Sequence, residues 1–213
     1  MAAYEIPEGV ALHTEKTATY HLCRGLSRLI LGLRYRMAVK GIENLPEEGP
    51  ALIVANHQSF FDIPLLAAST KRHVCFVARS TLAHSTILEF IMRECGAVLI
   101  ERGKGDRAAM RTMVEHLNRG DVVAIFPEGT RSEDGRVGHF KGGALLAARK
   151  AGAPIVPVAI RGSHSIWPRS RKYPGSGRIE LRFLPARTAE GKSALEEVHR
   201  EISEAVGDGM LPR

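Results

Sequence analysis

The sequence predicts an α/β fold: a single domain with a largely parallel central sheet flanked by helices, preceded by an N-terminal amphipathic helical segment. Three observations predict it. Short uncharged runs rich in Val and Ile recur along the chain, as strands buried on both faces require. Longer segments of helical period separate them, which makes the connections crossovers between parallel strands. With 213 residues, of which 44% are hydrophobic and 25% charged, the chain can bury one full core and has a globular composition.

The first element is a helix. Leu22, Leu26, Leu29, Ile30, Leu33 and Met37 fall within one apolar stripe roughly 100° wide. Arg24, Arg28 and Arg34 lie outside the stripe, and residues 21–40 contain no acid. Such a helix either packs its stripe on the core with a basic face in water, or lies on an anionic bilayer. Residues 1–40 are therefore set apart as a helical segment, and residues 41–213 form the α/β domain. Buried strands are expected at 51–55, 74–78, 97–100, 122–126 and 155–160. Residues 179–183 alternate apolar and charged side chains, as an edge or half-exposed strand would. Helices are expected at 63–69, 81–94, 106–118, 142–150 and 190–206. In such sheets ligands bind at the carboxyl ends of the strands.

Thirty Lys and Arg against 23 Asp and Glu give a net charge of +7. The balance points to an anionic partner: nucleic acid, a phosphate-bearing substrate or a membrane face. Between Arg161 and Arg187 seven basic residues (Arg161, Arg169, Arg171, Lys172, Arg178, Arg182, Arg187) accompany one acid, Glu180, with Trp167 and Tyr173 interspersed. That composition suits a membrane interface, a nucleic acid or a solvated loop. No stretch reaches the ~18 uncharged apolar residues of a membrane-spanning helix. Residues 1–15 lack the basic run leading into an apolar one that marks a secretory signal. Cys23, Cys75 and Cys95 form no CxxC pair, which argues against a disulfide framework or a zinc site, so no metal is expected.

Two polar clusters follow buried strands directly. Asn56-His57-Gln58-Ser59-Phe60-Phe61-Asp62 comes straight after the run at 51–55. His57 then sits at the strand's carboxyl end, and Asp62, before an apolar run, is a candidate helix N-cap. A loop that folds back brings the carboxylate to the imidazole, fixes its tautomer and raises the basicity of the other ring nitrogen. Phe126-Pro127-Glu128-Gly129-Thr130-Arg131-Ser132 ends the run at 122–126, with a glycine for close backbone approach and donors and acceptors on either side. A third cluster, Glu101-Arg102-Gly103-Lys104, follows the strand at 97–100, where Arg102 can hold a phosphate in a bidentate fork. Three clusters at the ends of three parallel strands converge on one rim. Gly103 to Ala108 fits G-x-G-x-x-A, but Glu101 and Arg102 separate its first glycine from the strand, unlike a dinucleotide fingerprint. There is no Gly-x-Ser-x-Gly elbow, Walker A loop or His-Glu-x-x-His.

NHQSFFD, the arginine of VLIERG, FPEGTRS and IVPVAI, in this order, resemble the four motifs of the glycerolipid acyltransferase family, and lie closest to lysophosphatidate (1-acyl-glycerol-3-phosphate) acyltransferases. The resemblance runs from about Gly41 to Phe183, and FKGG at Phe140 and the Trp167-Pro168 stretch share it. It implies transfer of a fatty acyl group from a thioester, acyl-CoA or acyl-ACP as co-substrate, to the free hydroxyl of lysophosphatidic acid. No cofactor or metal is implied. By matching motif positions, His57 is the general base and Asp62 its partner. Arg102, Glu128, Gly129, Thr130, Arg131, Asn56 and Ser59 bind substrate, and Pro157 belongs to the acyl-donor or substrate-shaping motif. The implied partners are an anionic membrane surface, a lysophospholipid and the acyl donor, with no nucleic acid. The implied location is the cytoplasmic membrane face, with the protein monotopic. The alternatives are another lysophospholipid or glycolipid acceptor, or a non-catalytic module that binds anionic membranes. The resemblance also favours the bilayer for the helix at residues 22–37.

Overall fold

The computed structural model describes residues 18–79, 92, 97–100, 105–191 and 193–207. Its strands are β1 Ala38–Lys40, β2 Ala51–Ala55, β3 Val74–Arg79, β4 Ala97–Ile100, β5 Val122–Ile125, β6 Ile155–Arg161 and β7 Glu180–Phe183. They form one sheet in the order β1-β7-β6-β2-β5-β3-β4. Every neighbouring pair is parallel except β6 and β7. The helices are α1 Ala18–Tyr35, α2 Asp62–Ser69, α3 Gly105–Asn118, α4 Gly143–Ala151, the single turn α5 Ser163–Ile166, and α6 Ala194–Gly207. The helix expected at 81–94 falls, but for Met92, outside the described residues.

The sheet is the middle of three layers. On one face Leu31 and Tyr35 of α1 and Leu65 and Leu66 of α2 pack with Ile53, Phe76, Val158 and Ile160. On the other, Leu117 of α3, Ala148 of α4 and Val198 and Ile202 of α6 pack with Leu52, Val54, Val123 and Ile155. Successive β2 residues therefore enter opposite cores, which is why ALIVA carries no polar residue and all five positions are buried.

Three expectations are corrected. The strand expected at 179–183 is not an edge: β1, three residues long, pairs with it in parallel and takes the edge. The acid of β7, Glu180, is buried by its cations, accepting from Lys40 (2.6 Å), Arg182 (3.1 Å) and Arg161 (3.3 Å). Burial pushes its carboxyl up, but those three cations more than offset this and hold it below the ordinary range. The basic stretch from Arg161 to Arg187 is thus partly neutralised within the fold, since Arg187 also pairs with Glu197 (2.9 Å) and with Glu201.

The second correction concerns Met37, which the expected stripe of α1 included. The helix ends at Tyr35, and Arg36 turns the chain at φ 47°, with the Met37 N–H closing on the Leu31 carbonyl at 3.4 Å. Met37 is therefore off the helix and packs against the core. The docked face carries Tyr20, Leu31 and Tyr35, while Leu22, Leu26, Leu29, Ile30 and Leu33, on the opposite face, are 49–77% exposed. The apolar stripe that sequence periodicity singles out is the outer face.

Third, Asp62 is not the N-cap of α2 but its first residue, and its side chain turns back into the preceding loop.

Candidate active site

The site is built where β2 and β5, neighbours in the sheet, both end. Asn56 anchors it. Its amide donates to the Ile160 carbonyl (2.9 Å) and its carbonyl accepts the Ile160 N–H (2.7 Å), tying the end of β2 to β6. With β2 pinned, the next residue, His57, leaves the sheet at a defined place.

The imidazole of His57 lies with Nδ1 2.9 Å from Asp62 Oδ2. Asp62 is fully buried and the His57 side chain is 17% exposed. The same carboxylate oxygen accepts the backbone N–H groups of Gln58 (2.6 Å) and Ser59 (2.7 Å). Since this oxygen already accepts two N–H groups, Nδ1 is placed to donate to it, and the tautomer so fixed leaves Nε2 as the acceptor. Phe126 stacks on the ring, with centroids 4.1 Å apart and planes 20° apart, and holds it flat against the end of β5.

Glu128 joins the two loops. Its Oε1 accepts the His57 N–H at 2.8 Å and its Oε2 accepts the Gly138 N–H at 3.0 Å. The Ser132 N–H returns to the His57 carbonyl at 2.7 Å. Burial pushes the Glu128 carboxyl above its ordinary range, and the two backbone N–H groups and the His57 ring draw it part of the way back. A carboxyl that titrates higher in the folded chain adds most to stability below the ordinary carboxylate range. Its contribution is lost as pH rises through the folded value.

Of the residues expected to bind substrate, Gly129, Thr130 and Arg131 lie on the outer side of this loop. Gly129 takes φ 71°, open to glycine at no cost, and an added Cβ would come within 3.0 Å of Lys141 Nζ. Arg131 lays its guanidinium 3.5 Å from the centre of the Phe60 ring. Asn56 and Ser59 are placed differently from the expectation. Both are fully buried, and Ser59 Oγ donates to the Trp167 carbonyl (2.9 Å) and accepts from Phe61 N–H (3.2 Å). These two build the site and do not face it. Pro157 lies within β6, in register with Val54 of β2. Arg102 lies outside the described residues, as does the Gly103-Lys104 start of the G-x-G-x-x-A run.

Sequence reading missed three supports. Gln58 is buried, and its amide donates to the Gly135 carbonyl at 2.5 Å. Phe126 was read as the end of a strand and the start of FPEGTRS, with no role against the His57 ring. Trp167 rests near Phe60 and Phe61, with centroids 5.1 and 5.0 Å away. The aromatic content of NHQSFFD was the one available signal for the last contact.

A second His-x4-Asp occurs in the chain. His116 Nδ1 lies 2.8 Å from Asp121 Oδ2, but the His116 side chain is only 4% exposed and sits at the opposite, amino-terminal end of the strands. Spacing alone does not separate the two pairs. Only the pair at 57 and 62 adjoins the FPEGTRS loop at the carboxyl ends.

The Acyltransferase family model matches residues 36–161, the span that holds β1 to β6 and both loops. The chain belongs to the Acyltransferase family. This acyltransferase is 31% identical over 193 residues to the 1-acyl-sn-glycerol-3-phosphate acyltransferase of Pseudomonas aeruginosa, covering 87% of its own length and 72% of that protein's. It is 37% identical over 137 residues to the chloroplastic 1-acyl-sn-glycerol-3-phosphate acyltransferase LPAT1 of Arabidopsis thaliana, covering 63% and 38%. It is 35% identical over 136 residues to the lyso-ornithine lipid O-acyltransferase of P. aeruginosa, covering 63% and 51%. The acyltransferase thus spans about two fifths of the chloroplast relative's length. Among solved structures it resembles the 1-acyl-sn-glycerophosphate acyltransferase PlsC of Thermotoga maritima. The TM-score is 0.74 at 30% identity, over 89% of this chain and 77% of that one.

Proposed function

We propose that this acyltransferase moves a fatty acyl group from a thioester, acyl-CoA or acyl-ACP, to the free hydroxyl of lysophosphatidate. The observation that carries the reading is the His57–Asp62 pair at 2.9 Å, joined through Glu128 to the FPEGTRS loop. His57 Nε2 takes the proton as the acceptor oxygen attacks the thioester carbonyl. The tetrahedral intermediate collapses, the C–S bond breaks, and the departing thiolate takes the proton back from Nε2. The products are an ester and a free thiol. A thioester is activated already, so no nucleophile from the protein is needed, and one base with good positioning suffices. Gly129, Thr130 and Arg131 face the acceptor, and Arg102 is assigned its phosphate.

The test is thiol release from an acyl thioester with lysophosphatidate, with phosphatidate identified by mass spectrometry. Arg102→Ala is expected to raise the KM for lysophosphatidate at least about tenfold, the worth of a charge-assisted bond near 1.5 kcal/mol, and to leave the donor KM in place. The P. aeruginosa lyso-ornithine lipid relative favours a second reading, in which the same chemistry serves another lysolipid. A panel of lysolipid acceptors in the same assay decides between them.

Glu128 separates scaffolding from binding. Both its oxygens are occupied by backbone N–H groups, so Glu128→Gln is expected to lower kcat about tenfold through a displaced His57, with the acceptor KM unchanged within about twofold. A raised KM at unchanged kcat would assign Glu128 to the acceptor.

No helix of the described residues is long and apolar enough to cross a membrane. The outward stripe of α1 supports monotopic docking on an anionic membrane, at the cytoplasmic face where acyl thioesters are available. Each of its five exposed Leu and Ile side chains contributes on the order of 1.5–3 kcal/mol if fully immersed, and Arg28 and Arg34 add attraction to anionic headgroups. Leu29→Asp with Leu33→Asp is expected to reduce partitioning onto phosphatidylglycerol vesicles at least about tenfold, with turnover of a soluble short-chain lysolipid retained. Unchanged partitioning would remove α1 from the membrane.

A further inference from the structure

The amino-terminal end of the sheet, opposite the proposed active site, holds a group of donors that the acyl-transfer reading does not use. Cys75 is the second residue of β3, His116 lies in the last turn of α3, and Asp121 immediately precedes β5. One donor atom from each lies within 4.8 Å of the other two. A fourth group, His73, places Nδ1 3.6 Å from the Cys75 sulfur. Cys75 is 1% and His116 3% exposed, and the buried His116 Nε2 has no hydrogen-bond partner.

We propose that Cys75, His116 and Asp121, with His73 as the fourth ligand, form a structural site for one zinc-class divalent cation.

The geometry and the charge both fit. Tetrahedral zinc with Zn–S near 2.3 Å and Zn–N near 2.0 Å separates a sulfur from a nitrogen ligand by about 3.5 Å, close to the 3.6 Å between Cys75 and His73. The widest separation among Cys75, His116 and Asp121 closes by roughly 1 Å, the 2.8 Å His116–Asp121 contact opens by about half an ångström, and His73, near Cys75 but outside that group of three, swings toward it on binding. Those are side-chain rotations. One thiolate, one carboxylate and two neutral imidazoles neutralise a divalent ion, and the sulfur and nitrogen donors select zinc or cobalt over magnesium or calcium. The guanidinium of Arg72, drawn to Asp121, opposes a cation, and its donors are engaged by the Pro46, Gly49 and Gly120 carbonyls. Burial, with Asp121 adding to it, pushes the Cys75 thiol up to about 12. Cys75 is therefore an uncharged thiol until a metal displaces its proton. All four ligands sit where α3 turns into β5 and where β3 begins, so the ion would clamp α3 and two strands together. Sequence spacing hides the group because its ligands come from two segments some forty residues apart, 73–75 and 116–121.

The test is titration of the metal-free full chain with Co2+, read by the thiolate-to-cobalt charge-transfer absorption, and with Zn2+, read by melting temperature. One equivalent of Co2+ is expected to give the band. Zinc at about 100 times its Kd is expected to raise Tm by about 5–10 °C. Cys75→Ala and His116→Gln are expected to lose the band and the Tm shift, whereas Cys23→Ala and Cys95→Ala keep both. The wild-type titration decides even if a core variant fails to fold. No charge-transfer band with excess Co2+ overturns the proposal, as does a band that survives Cys75→Ala. Acyl-transfer activity enters neither readout, so the failure of one assignment leaves the other standing.

Discussion

His57→Ala is expected to reduce kcat for acyl transfer by about 10²–10⁴-fold, the range a positioned general base supplies, while the protein stays folded. The expectation of an intact fold comes from where the residue's bonds lie. Its backbone N–H and carbonyl hold Glu128 and Ser132, and alanine keeps both. Asp62 Oδ2 loses the imidazole but retains the N–H groups of Gln58 and Ser59. What disappears is a ring stacked on Phe126, at a cost of about 1 kcal/mol or a little more for a partly exposed side chain. The measurement is thiol release at saturating donor and acceptor, with the melting temperature followed in parallel. A KM for lysophosphatidate that barely moves completes the pattern, because a base acts on the transition state and contributes little to holding the lipid. His116→Gln is the matched control. It removes the other His-x4-Asp imidazole and is expected to leave kcat within about twofold. Equal rates for wild type and His57→Ala would take His57 out of the chemistry.

The contrast between the two His–Asp pairs shows where sequence reading reaches its limit. Strands β2, β5 and β6 were legible because both faces are covered, so each appears as an uninterrupted apolar run; their carboxyl ends then located His57 and Glu128 without further information. β1 was not legible. Three residues carry no periodicity, and only its pairing with Glu180 to Arg182 makes it a strand. Its absence from the reading is the reason β7 was taken for an edge or half-exposed strand. On α1 the periodicity fixed the stripe but not its direction, since an apolar stripe fits a core and a bilayer equally well. The helix docks through Tyr20, Leu31 and Tyr35, which the stripe omits. Within the site, residue types were legible and side-chain directions were not. Asn56 and Ser59 look like substrate donors in a motif, yet they point into the sheet and toward the Trp167 carbonyl. Glu128 looks like a ligand and serves as a clamp between two loops.

Asp62 combines two roles that a pair of substitutions separates. Its Oδ2 accepts three hydrogen bonds, from His57 Nδ1 and from the N–H groups of Gln58 and Ser59, and its buried Oδ1 has no hydrogen-bond partner. Asp62→Ala removes the acceptor and strands two buried donors, each at about 1–3 kcal/mol. The expected result is a Tm lower by about 5–15 °C, at roughly 2–4 °C per kcal/mol for a chain of this size, together with a kcat loss as large as that of His57→Ala. Asp62→Asn differs in one respect. Its amide oxygen can occupy the Oδ2 position and keep all three hydrogen bonds, with the NH2 group in the place of Oδ1. The loop and the His57 ring then stay where they are, so the fall in Tm is expected to be less than half that of Asp62→Ala. The negative charge opposite the ring is gone, however, and the imidazolium that forms as the hydroxyl gives up its proton loses its counter-ion. kcat is therefore still expected to fall about 10²-fold or more. If Asp62→Asn keeps full activity, the carboxylate's charge has no part in catalysis and Asp62 serves only to fold the loop. If it falls with Tm nearly intact, orientation alone is not enough, and the charge beneath the imidazole is what makes His57 a base.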